Sequence, residues 1–115
     1  MEEPIAEVEA LRDGRLIVWS SDQGMKLFRL GYYGKPLGVP KPKEEFEAPL
    51  ILDLVEGVYL LERGLITVFS GEGRRALQLD ELKALAREGF ERFDEKYRVY
   101  RDLRERGFVA TPGIK

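Results

Sequence analysis

Period-two and helical hydrophobic patterns alternate along this chain, and the switches between them mark its elements. Ile5-Ala6-Glu7-Val8-Glu9-Ala10-Leu11 alternates loosely between apolar and polar, Asp13-Gly14 follows, and Leu16-Ile17-Val18-Trp19 is a second β-rich run. Two such runs joined through Asp-Gly predict a hairpin, because glycine accepts the positive φ of the turn. Ser20, Ser21 and Asp22 offer capping oxygens for a short helix carrying Met25, Leu27 and Phe28, which Gly31-Tyr32-Tyr33-Gly34 ends. Residues 35–45 hold Pro36, Pro40 and Pro42 among lysines and glutamates without periodicity and predict an exposed, partly extended loop. Phe46 to Leu52 is a short apolar run, with Pro49 marking an edge or entry position.

Asp53 predicts the N-cap of a second helix, with Leu54, Val58 and Leu61 on one stripe and Gly64 just past its end. Leu65 to Phe69 reads as a β-branched strand ending in the turn Ser70-Gly71-Glu72-Gly73. A third helix starts near Gln78–Asp80, carries Leu82, Leu85 and Ala86, and breaks at Gly89. The fourth, Phe90 to Arg106, puts Phe90, Phe93, Tyr97, Tyr100 and Leu103 on one face. Its other face carries Asp94–Arg98, Arg98–Asp102, Arg101–Glu105 and Asp102–Arg106, opposite charges at helical spacing. Beyond Gly107, Phe108-Val109-Ala110-Thr111 predicts a strand with no later strand in these 115 residues to pair with, so another subunit is expected to complete it. The fold class expected is α+β: a small antiparallel N-terminal sheet packed with helices (residues 1–73), then two helices and a first strand of a second domain (residues 74–115).

Composition narrows the chemistry. The chain has no histidine and no cysteine, which removes the usual neutral-pH acid/base, thiolate chemistry and disulfides. No catalytic residue, metal site or cofactor is expected on this chain. A formal net charge of −2 argues against bulk electrostatic attraction to nucleic acid. The absence of asparagine and a 35% charged content fit a heat-adapted protein. No apolar run approaches the roughly 20 residues that span a bilayer, and the acidic start lacks a secretory n-region, so a cytoplasmic protein without membrane attachment is expected.

Three stretches carry a resemblance. They are Gly31-Tyr32-Tyr33-Gly34-Lys35, then Leu52-Asp53-Leu54-Val55-Glu56-Gly57-Val58-Tyr59-Leu60-Leu61-Glu62-Arg63-Gly64, and Lys96-Tyr97-Arg98-Val99-Tyr100-Arg101-Asp102-Leu103-Arg104-Glu105-Arg106-Gly107-Phe108-Val109 with Thr111-Pro112-Gly113-Ile114-Lys115. In order and spacing they resemble the archaeal tRNA-intron splicing endonuclease family, with Asp53 at that family's capping Ser and Gly57 at its usual Ala. The resemblance implies an N-terminal α/β domain followed by a domain on a mixed sheet. It also implies cleavage of precursor tRNA at bulge–helix–bulge motifs by a Tyr/His/Lys trio. That trio lies after the third stretch, so no position here matches it.

The reading that follows is a non-catalytic structural subunit of a crenarchaeal-type heterotetramer, two of each subunit, which positions catalytic partner subunits. Alternatives are a fragment of a full-length catalytic subunit and a separate small RNA- or protein-interaction module. Phe108, Val109, Thr111 and Ile114 are the expected partner-binding residues. Lys35, Lys41 and Lys43 are candidate RNA contacts. The arginines Arg98, Arg101, Arg104 and Arg106 are expected on a solvated salt-bridge face, and the tyrosines in packing.

Overall fold

The computed structural model describes residues 3–11, 13–38, 47–71 and 74–109. β1 (Ala6–Ala10) and β2 (Leu16–Val18) form the expected hairpin, with Glu9 opposite Ile17 and Ala10 opposite Leu16. Ser20 caps α1 (Ser21–Gly31), its side chain accepting from the Gln23 N–H, and Tyr32 ends that helix at φ 58°. A tyrosine in the left-handed region carries strain that glycine would not. Here the Tyr32 N–H closes on the Phe28 carbonyl at 2.7 Å, and its ring meets Phe28 edge-on at 5.4 Å.

The first difference from the sequence reading follows at once. Lys35–Pro36 is a short strand, β3, antiparallel to β4 (Leu50–Leu52), where an exposed, partly extended loop was expected. The pairing partner lies some fifteen residues away, so local pattern cannot reveal it, and Pro36 is tolerated because β3 is an edge. Pro49 stands at the entry to β4, which is itself internal. Lys41, Lys43 and Phe46 lie outside the described residues.

Asp53 and Glu56 form a reciprocal capping box on α2 (Leu54–Glu62). β5 (Ile66–Ser70) then runs parallel to β1. The sheet order is β3-β4-β2-β1-β5, so the crossover from the β1–β2 hairpin to β5 is carried by α1 and α2. Both helices pack on one face, where Val8, Leu16, Val18, Leu50, Leu52, Ile66 and Val68 meet Leu27, Val55, Val58 and Leu60.

α3 (Leu79–Gly89) and α4 (Phe93–Glu105) add Leu82, Ala86, Phe93, Tyr97 and Tyr100 to this same core. The architecture is therefore α+β, with a five-stranded sheet and four helices among the described residues. α4 begins three residues later than the periodicity predicts. Phe90 instead terminates α3, and Arg92 turns the chain at φ 60°.

Gly57 explains one departure from the family pattern. A Cβ there would overlap Leu16 Cδ1, so a fully buried leucine on β2 fills the space that alanine would take on α2.

Candidate functional site

The three signature stretches converge. Tyr33, from the turn after α1, lies 6.2 Å from the ring of Tyr59 on α2, and Tyr59 meets Tyr100 of α4 edge-on at 5.6 Å. Arg104 closes the cluster. Its guanidinium carbon sits 4.1 Å from the Tyr33 ring centroid, its Nε donates to Tyr100 Oη at 3.1 Å, and an Nη donates to the Gly31 carbonyl at 2.5 Å. The sequence reading put Arg104 on a solvated face and Leu103 on the buried one. Arg104 is only 9% exposed and Leu103 is the more open of the two. The buried stripe runs Phe93-Tyr97-Tyr100-Arg104, and charge disguised its last member.

Glu56 ties the second stretch to the first. Its Oε1 accepts from the Asp53 N–H at 3.2 Å and its Oε2 from the Gly34 N–H at 2.9 Å. It is 6% exposed, and burial first, then the neighbouring Asp53 charge, push its carboxyl up to about 7. Asp53 is also raised by burial, although its hydrogen bonds to the α2 backbone and the charge of Lys35 pull the other way. Burial raises the Tyr33 phenol above its ordinary value and the Tyr97 and Tyr100 phenols well above theirs, assisted at Tyr97 by the Glu62 carboxylate that accepts its hydrogen bond. A buried carboxyl near neutrality is a general-base candidate by its pKa alone. Here both carboxylate oxygens are taken up by backbone donors, so Glu56 serves packing.

The charged face of α4 is used differently from the spacing argument. Asp102–Arg106 closes within the helix at 3.2 Å. Asp94 reaches Arg87 on α3 at 3.0 Å, Arg101 reaches Glu62 at 3.8 Å, and Glu105 reaches Arg63 at 3.7 Å. These contacts staple α4 to α2 and α3.

α4 ends in a Schellman turn. The Gly107 N–H bonds the Arg104 carbonyl at 3.0 Å and the Phe108 N–H bonds the Leu103 carbonyl at 3.1 Å, with Gly107 at φ 90°. The expected strand is not seen at Phe108 and Val109, because the turn engages the Phe108 N–H; the rest of that stretch, with Thr111 and Ile114, lies outside the described residues. Phe108 is 59% and Val109 58% exposed, and with Val99 and Leu103 they leave the C-terminal end of α4 apolar and open. Lys35 is exposed on β3 and lines a groove of about 1530 Å³ along the sheet end, together with Arg15, Asp53 and Glu88. Its mixed charges show no preference for anions. Among the described residues no helix is long and apolar enough to cross a membrane, and no group of acidic side chains is arranged to hold a metal ion.

The family model described as tRNA intron endonuclease, N-terminal domain, matches residues 9–83. A protein named tRNA-splicing endonuclease from Hyperthermus butylicus is 44% identical over 102 residues, covering 88% of this chain and 56% of its own length. Proteins of the same name from Sulfurisphaera tokodaii and Saccharolobus islandicus are each 38% identical, over 109 and 111 residues, covering 93% and 94% of this chain. They are covered over 59% and 60% of their own lengths, so this chain spans little more than half of the curated relatives it matches.

Proposed function

The chain belongs to the tRNA intron endonuclease family, and from that premise we propose that it is a non-catalytic structural subunit of a complex that removes introns from precursor tRNA. In this reading it holds catalytic partner subunits in the relative geometry that two cuts require, a contribution of positioning rather than of chemistry. The observation that carries the reading is the fate of the family's signature residues. Tyr33, Tyr59, Tyr100, Arg104 and Glu56 are consumed in holding α1, α2 and α4 together. With no histidine in the sequence, the Tyr/His/Lys trio implied by the resemblance has no counterpart among these 115 residues.

The open apolar end of α4, Val99, Leu103, Phe108 and Val109, is the surface assigned to the catalytic partner, and Thr111 and Ile114 are assigned to the same partner from the sequence alone. Assembly is as a heterotetramer, two of each subunit, in the cytoplasm. Of the three candidate RNA contacts, Lys41 and Lys43 are assigned to precursor tRNA outside the cut site, whereas Lys35 stands among the mixed charges of the groove.

The greater length of the relatives favours one second reading, in which these residues are the leading part of a longer catalytic chain. The deciding experiment is co-expression with the organism's catalytic homologue, followed by cleavage of a bulge–helix–bulge precursor tRNA and intact mass of the native protein. A mixture that alone forms the tetramer and cuts is the expected result. A homologue that cuts equally well by itself and does not retain this chain overturns the structural-subunit reading, and a native mass well above 13.2 kDa establishes the second.

A further inference from the structure

The groove at the sheet end takes no lining residue from α4, so it is separate from the apolar end of that helix. The β1–β2 turn, β3, β4, the start of α2 and the last turn of α3 surround it. Its apolar side chains are not all spent on the core. Leu37, beyond β3, and Leu85, on α3, are exposed, and Leu11, Ile51 and Phe90 are half-buried beside them. At about 1530 Å³ the groove exceeds the roughly 300–1000 Å³ that hold a small-molecule ligand, and it has room for a stretch of polypeptide.

Gly89 keeps one end of the groove open. It closes α3 without the positive φ that would require glycine, and a Cβ there would meet Leu54 Cδ1 at 3.5 Å, an ordinary contact. Neither the backbone nor packing within the chain calls for glycine, which is a poor helix former. The bare position leaves space over Leu54, next to Leu85 and Glu88.

The charges select the occupant. Five carboxylates line the groove, Glu9, Asp13, Asp53, Glu56 and Glu88, against the cations Arg15, Lys35 and Arg75. Both arginines are already paired, Arg15 to Asp13 and Arg75 to Glu81, each at 2.8 Å, and the charge of Lys35 falls on Asp53. Glu9 and Glu56 accept from N–H donors of Trp19, Asp53 and Gly34, whereas Glu88 has no bonded partner among the described residues. Glu88 stands one residue from the end of α3, where the helix carbonyls already concentrate negative charge. The cation of that last turn, Arg87, is taken by Asp94. This end of the groove therefore lacks a cation and has room for an aliphatic group beside it. The surplus of carboxylates repels phosphate and disfavours a nucleic acid.

We propose that this groove binds a basic, aliphatic segment of a partner protein, with a lysine or arginine on Glu88 and the carbonyl end of α3, and an aliphatic side chain seated over Leu54 against Leu85. A charged head beside an apolar anchor is how such grooves select short protein segments. The inference rests on the groove alone and holds whether the chain is a structural subunit or part of a catalytic one.

Selection of short random peptides on the immobilised 115-residue chain, followed by fluorescence anisotropy of the enriched sequences, tests it. Enriched peptides are expected to carry a basic residue close to a leucine, isoleucine or valine. Glu88→Lys should weaken their binding about ten-fold, and exchanging the peptide's basic residue for glutamate should restore binding to that variant. Gly89→Leu fills the space over Leu54 and should weaken binding at least about ten-fold while the melting temperature does not fall. Phe108→Asp, outside the groove, should leave affinity unchanged. Enrichment of acidic or purely polar peptides overturns the proposal, as does no enrichment at all. Binding indifferent to Glu88→Lys and Gly89→Leu, with circular dichroism showing both folded, overturns it as well. Precursor tRNA that displaces the peptides and binds Glu88→Lys more tightly than the parent would give the groove to RNA instead.

Discussion

Arg104 lays its guanidinium over the ring of Tyr33, 4.1 Å from centroid to Cζ, and so joins the last helix to the turn after the first. Seventy-three residues separate it from the Gly31 carbonyl it also binds. Replacing it with alanine removes a desolvated cation–π contact and leaves the Gly31 carbonyl short of a donor, a loss of about 3 kcal/mol. Lysine keeps the charge but has neither the plane to stack nor the fork to reach Tyr100 and Gly31 together. Arg104→Lys is therefore expected to recover less than half of the loss in denaturant unfolding. Full recovery would mean that charge alone, not the stacked fork, is what matters.

Gly57 and Leu16 compete for one space, and the competition is measurable. Gly57→Ala gains up to about 1 kcal/mol of helix propensity yet forces a fully buried leucine to move, which costs about 1–3 kcal/mol. The expected net effect is destabilising. In a Leu16→Ala background the added methyl enters the vacated volume, and the same Gly57→Ala change becomes stabilising. A double-mutant cycle with no sign reversal would rule out the steric account.

Much of this arrangement was legible in the sequence, wherever the determinant is local. Ser20, Asp53, Gly64 and Gly107 are capping chemistry, read correctly because a cap needs only its own turn. β3 was not legible, because Lys35-Pro36 looks like loop and becomes strand only through register with Ile51 and Leu50. Arg104 was misread because periodicity arguments class arginine as polar, whereas Tyr33, Tyr100 and the Gly31 carbonyl make a buried place for it. The i+4 sequence Phe93-Tyr97, continued through Tyr100 to Arg104, was the signal that could have found it.

Glu56 makes stability depend on pH in a direction opposite to that of the usual salt-bridged carboxylate. Its folded-state pKa of about 7 lies above the ordinary 4.5, so the native state binds more protons than the unfolded state between those values. Its contribution is fully present below about pH 4.5 and is lost as pH rises toward 7. Asp53 shifts in the same direction, whereas Asp13, Glu81 and Asp94 are lowered, so their contribution is present above their ordinary range and is lost only as pH falls below it. Unfolding free energy should fall by up to about 3 kcal/mol from pH 4.5 to pH 7.5. Glu56→Gln should be less stable at the acidic end, because the amide nitrogen cannot accept from a backbone N–H, and should flatten the slope. A slope that survives Glu56→Gln would place the titrating group elsewhere.

Phe108 and Val109 separate assembly from folding. Each is more than half exposed beyond the Schellman turn, so Phe108→Asp and Val109→Asp remove little native packing and should change the unfolding free energy by no more than about 0.5 kcal/mol. Burying a carboxylate in an apolar interface, by contrast, costs several kcal/mol, and binding should fall at least a hundred-fold if this end of α4 meets the catalytic subunit. Pull-down with that subunit and precursor tRNA cleavage by the mixture are the readouts. The two variants should fail in both while melting at the parent temperature. Retained capture and cleavage would move the partner surface off α4, whereas a matching loss of thermal stability would show that Phe108 packs within its own chain.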